Sequence, residues 1–97
     1  MLPPQLHHQL KLHASKGSKR SRRRQVNRVR NFVRYCGCDP RQIGARHVHQ
    51  FFAERDYAVT TARDYWYAIA LLWRVLGRHS LPPKPVVLRD QHTEVGA

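Results

Sequence analysis

The sequence predicts a small all-α bundle, on three observations. Three segments repeat their apolar residues at the 3.6-residue period of a helix, Gly and Pro punctuate the gaps between them, and no stretch alternates as a strand would. With 97 residues, 41% of them hydrophobic, the chain has material for one modest core and hence one domain.

Residues 1–17 are expected to form an N-terminal arm or a short helix, starting after Pro3 and Pro4 and carrying Leu6, Leu10 and Leu12 partly on one face. Gly17 and Ser18 then break the pattern. From Ser18 to about Tyr35, Val26, Val29 and Val33 recur at helical spacing, widened by Phe32 and Cys36. Gly37 and Asp39-Pro40 end that helix, the first as a left-handed cap and the second by proline geometry. Ile43 and Gly44 lead into a short helix at about Ala45–Arg55, whose period is Val48, Phe51 and Phe52.

A turn follows, and Thr60 or Thr61 is expected to cap the next helix with Asp64 in its first turn. Ala62, Tyr65, Ile69, Leu72 and Leu76 supply the buried stripe of that helix, flanked by Trp66 and Trp73, to about Gly77. Leu81-Pro82-Pro83-Lys84-Pro85 cannot continue it. The domain is thus expected over residues 18–80, with 81–97 as a Pro-rich extended tail.

Charge points to the partner. Eighteen Lys and Arg face six Asp and Glu, for a net +12 with His neutral. Residues 1–38 hold ten of those cations and no acid, whereas residues 39–97 hold eight cations and all six acids. A solvated face ordinarily mixes both signs, so this imbalance implies a polyanion.

On the helix that begins near Ser18, one arc gathers Arg20, Arg23, Arg24, Asn27, Arg28, Arg30, Asn31 and Arg34, only Arg22 falls inside the apolar stripe, and Lys19 opens the cationic rail and joins the candidate contacts. Arg predominates there, and a guanidinium grips phosphate or guanine through two hydrogen bonds. Asn27 and Asn31 have the amides that read adenine. The last helix repeats the pattern with Arg63, Tyr67, Arg74 and Arg78 on its outer arc. A helix fits the major groove, so double-stranded DNA is the expected partner. An RNA-binding regulator or chaperone remains the alternative of another class, and a protein-interaction module docking through the last helix is a third.

Chemistry is sparse. Cys36 and Cys38 are too close for an ordinary disulfide and lack the second pair a zinc site needs, so reduced thiols are expected. His47-Val48-His49 matches the His-hydrophobic-His signature of rolling-circle nucleases, but that pair must project from one face of a strand. A helical period sets the two about 160° apart. His7, His8 and His13 have no accompanying Cys or carboxylate to complete a metal site. No cofactor, metal or catalytic set is expected. The longest apolar stretch, Tyr65 to Trp73, is far shorter than the roughly 20 residues of a membrane span. The expectation is a cytoplasmic, nucleoid-associated protein that does not touch membranes.

The segments RSRRRQVNRVRNFVRYCG, RQIGARHVHQFFAER and AVTTARDYWYAIALLWRVLG, followed by LPPKP, resemble the N-terminal core-binding domain of phage-integrase-like tyrosine recombinases over about residues 18–85. Phe32 and Tyr35, then Val48, Phe51 and Phe52, then Thr60, then Leu81 to Pro85 stand where that family has its aromatic helix end, its short "hV.qFF" helix, its Thr cap and its Pro-rich exit. The resemblance implies a four- or five-helix bundle like a sterile alpha motif (SAM-like). It also implies that Arg20 through Arg34 and Arg63 through Arg78 face duplex DNA, with a recombinase or another DNA-bound protein nearby. The family's catalytic domain would begin after the Pro-rich exit, where about a dozen residues remain, so strand cleavage is not expected.

Overall fold

A computed structural model describes residues 4–14 and 19–88. Among them every regular element is helical: α1 (Pro4–Ala14), α2 (Lys19–Cys36), a 3₁₀ turn (Pro40–Gln42), α3 (Ala45–Arg55) and α4 (Val59–Val75). The expectation of a small helical bundle holds.

The N-terminal segment takes the helical of its two expected forms. Pro4 sits at the first helical position, where its missing N–H costs nothing, and Leu6 and Leu10, one turn apart, are buried in the common core. Leu12 is left about half exposed, at 48%. Residues 1–3 and 15–18 lie outside the described residues.

The long α2 buries Val26, Val29, Phe32 and Val33 and stops at Gly37. With φ at +65° and its N–H on the Val33 carbonyl at 3.1 Å, Gly37 adopts the left-handed cap that a side chain would disfavour. The Asp39 carboxylate then accepts the Arg41 N–H at 2.9 Å, fixing the 3₁₀ turn around buried Pro40. Ile43, 1% exposed, pins the entry to α3. There the His47 side chain turns back, and its Nδ1 accepts the Gly44 N–H at 3.0 Å, satisfying a donor that the first turn leaves orphaned.

Phe51 of α3 is the hub of the core. Its ring lies 5.2 Å from Phe32 and 5.2 Å from Tyr35 of α2, 5.5 Å from Phe52, and 5.3 Å from Tyr65 of α4, mostly edge to face. Such pairs add to area burial because ring edges and faces carry opposite partial charge. α4 contributes Ala62, Trp66, Ala68, Ile69, Leu71, Leu72 and Trp73 to the buried set and packs chiefly against α2.

Two expectations are corrected. The cap of α4 is Ala58, with no side-chain cap bond, and neither Thr60 nor Thr61 serves. Asp64 consequently falls beyond the first turn. The reason is the α3–α4 corner: Asp56 closes α3 in the left-handed region at φ +48°, Tyr57 stacks on Tyr65 at 5.0 Å and 7°, and the helix begins immediately after. The Pro-rich segment also differs from an extended tail as far as Leu88. Pro82, Pro85 and Leu88 are buried, the Trp66 indole N–H donates to the Pro82 carbonyl at 3.2 Å, and the Lys84 ammonium lies over the Trp66 ring at 5.3 Å. Residues 89–97 lie outside the described set.

Candidate nucleic-acid interface

The expected cationic arc of α2 is exposed from Arg20 to Arg34 except at Arg28. Arg20, Arg23, Arg24, Asn27, Arg30, Asn31 and Arg34 are all solvent-facing, opposite the row Val26, Val29 and Val33 that holds the helix to the bundle. Lys19 opens the helix. At 1.5 Å per residue, Arg20 to Arg34 spans about 21 Å, the axial length of about six base pairs. No acid lies on α2, and among the described residues none pairs with Arg20, Arg23, Arg24, Arg30 or Arg34.

Three members of the predicted set are otherwise engaged. Arg28 is half-buried at the seam with α4, 3.7 Å from the Asp64 carboxylate and 5.9 Å from the Tyr65 ring centre. Its place at the edge of the arc brings it beside α4. Asn31, though exposed, donates its amide to the Tyr65 hydroxyl at 3.2 Å. Arg78 is half-buried beyond the end of α4, its guanidinium 4.4 Å from the Trp73 ring centre and donating to the Arg41 carbonyl at 3.1 Å. Arg78 therefore braces the α4 exit instead of extending its outer arc, because the helix ends at Val75 and Gly77 reverses the chain at φ +80°.

The rest of the α4 line is open. Arg63 and Arg74 are exposed, and Tyr67 is 53% exposed, its ring 5.4 Å from Trp66. Of the other α4 aromatics, Trp73 is in the core, Tyr65 packs against it and Trp66 is buried. Arg22, the one cation in the apolar stripe of α2, turns toward α1 and donates to His13 Nδ1 at 3.1 Å, while His13 Nε2 meets the Gln25 amide oxygen at 2.8 Å. That network joins α1 to the start of α2.

The remaining chemical groups are also placed. His47 and His49 lie on α3, not on a strand; His47 is spent on the helix start, with Cys38 Sγ 3.8 Å from its Nε2, and His49 is exposed. Burial, with the charge of Cys38 adding, pushes the Cys36 thiol up to about 12. It stays protonated near neutrality and is a poor nucleophile. Among the described residues no three His, Cys, Asp or Glu side chains gather as a metal site, and no helix is long and apolar enough to cross a membrane.

Sequence reasoning missed Arg55. At the end of α3 its guanidinium lies 5.4 Å from the Tyr35 ring centre and 5.5 Å from that of Phe51, beside Glu54, which accepts the Tyr35 hydroxyl. The only hint in the sequence is the Phe51–Arg55 spacing of one turn. The Tyr35 contact depends on how α2 and α3 pack.

No protein-family model, curated protein or solved structure matches this chain.

Proposed function

We propose that this chain is a non-catalytic module that binds double-stranded DNA, with the exposed face of α2 as its principal contact. The observation that carries this reading is the row Arg20, Arg23, Arg24, Arg30 and Arg34: exposed, about 21 Å long, free of acids, and held by a helix whose opposite face is anchored in the core. A row of guanidiniums on one rigid helix grips phosphates along a groove wall, and Asn27 has the donor–acceptor amide for an adenine edge. Arg63, Tyr67 and Arg74 form a second, weaker line.

The resemblance to recombinase core-binding domains adds a context. The module occupies or bridges a recombination site of a mobile element, beside a recombinase or another DNA-bound protein.

The test is a titration of labelled random duplex across a salt series, with structured RNA as competitor. Release of counterions from four to six phosphates gives a slope of log K against log salt of about −4 to −5. Preference for the RNA, or binding indifferent to salt, overturns the reading.

A further inference from the structure

Where the cationic row meets the aromatic hub, the surface opens into a concavity of about 320 Å³. That volume is at the small end of the range for ligand pockets, about 300 to 1,000 Å³, too little for a duplex and enough for one nucleotide. Its lining combines two kinds of group. Asn31 and Arg34 come from the exposed face of α2 and Arg55 from the end of α3, while Tyr35, Tyr57 and Tyr65 supply ring surface over Phe51. No acid lines it, and Glu54, next to Arg55, accepts the Tyr35 hydroxyl.

The aromatic wall is held in place from several sides. Tyr57 and Tyr65 stack in parallel at 5.0 Å, Tyr65 accepts the Asn31 amide, and Phe51 packs against both tyrosines. Burial and the hydrogen bond with Tyr65 push the Tyr57 hydroxyl up from its ordinary value, so it stays a neutral phenol. Cations and aromatic rings in one small cavity are the combination that holds a base by stacking and its phosphate by charge-assisted hydrogen bonds.

We propose that this concavity takes one unpaired nucleotide of a bound DNA, with the base against the tyrosine rings and the phosphate on the Arg34 and Arg55 guanidiniums. The proposal rests on the duplex-binding reading above and deepens it. Because Asn31 and Arg34 belong to both the row and the concavity, DNA lying along α2 brings an extruded or overhanging nucleotide to its mouth. Extrusion is cheapest where the base has no partner, so the module prefers ends, gaps and mismatches over continuous duplex.

The experiment compares two duplexes of equal length and charge, one fully paired and one with a single unpaired 2-aminopurine, by anisotropy and by 2-aminopurine fluorescence. Binding of the paired duplex reports the α2 row, and the difference between the two reports the concavity. The expected result is about tenfold tighter binding of the unpaired duplex, the free-energy equivalent of stacking one base, with quenched fluorescence. Arg55→Gln, with helicity retained by circular dichroism and melting lowered only by the loss of the Tyr35 and Phe51 ring contacts, removes most of that preference and leaves the paired duplex within about twofold at a temperature where the variant is fully folded. Equal affinity for the two duplexes, or a preference unchanged in Arg55→Gln, overturns the nucleotide site and leaves the duplex reading standing. If neither duplex binds, both readings fall.

Discussion

The arginines of α2 and those near the ends of α3 and α4 share one side chain and differ in surroundings. Along α2, Arg20, Arg23, Arg24, Arg30 and Arg34 stand in solvent with no ion pair or ring beneath them among the described residues. Arg78 and Arg55, by contrast, lie over aromatic rings, and Arg28 faces a carboxylate. A guanidinium over a ring is held by the ring's quadrupole and by contact along its stem, so it contributes to the fold. One without such a neighbour adds only repulsion to the folded state and is a cost unless a polyanion relieves it. Net charge alone does not separate the two kinds; the neighbour does.

The strongest way to break the comparison is to remove the ring through which α3 meets both α2 and α4. Phe51→Ala empties the space between Phe32, Tyr35 and Tyr65 and is expected to cost about 3 to 5 kcal/mol, a large share of the stability of a domain this size. Urea denaturation followed by circular dichroism checks it. A loss under 1 kcal/mol would mean that the aromatic hub is not what joins the helices.

Next comes the exposed row itself. The triple variant Arg23→Ala/Arg24→Ala/Arg30→Ala is expected to reduce the salt slope of duplex binding by about 3, close to one per phosphate contact, while stability stays within about 0.5 kcal/mol. Arg78→Ala should show the converse. Losing the Trp73 contact and the bond to the Arg41 carbonyl costs about 1 to 2 kcal/mol at this half-exposed position, and the salt slope does not move. If Arg78→Ala weakens duplex binding as the triple variant does, the division between gripping and bracing arginines fails.

That division also explains how much was legible in the sequence. The apolar period of α2, the cap at Gly37 and the span Ala45–Arg55 are local properties, set by side-chain spacing and backbone preference, and the fold keeps them. The exposed arc of α2 follows from the same period. The Ala58 start of α4 was not legible, because a local rule favours Thr caps whereas the start is set by the Tyr57–Tyr65 stack. Nor were the bond from Trp66 to the Pro82 carbonyl or the roles of Arg28, Arg55 and Arg78, each of which needs a neighbour distant in sequence. The short α1 had two readings because its apolar residues are few, and only the core that Leu6 and Leu10 enter selects the helix.

The smallest expected effect is the sharpest probe of the seam. Asp64 lies 3.7 Å from Arg28, with the two side chains 45% and 28% exposed, so screening keeps the pair worth less than about 1 kcal/mol. Asp64→Asn should therefore barely shift the denaturation midpoint. It removes the carboxylate that neutralises the row's inner edge, and leaves Arg28 over Tyr65 but without its counter-ion. Duplex binding should then tighten a few-fold at low salt, with the slope steeper by up to about 1, as one more guanidinium becomes available to phosphate. If the slope stays the same while affinity rises, Arg28 remains on Tyr65 and the gain is only the loss of a repelling charge. If neither changes, the DNA path runs along the outer side of α2 and does not cross the seam to Arg63 and Arg74.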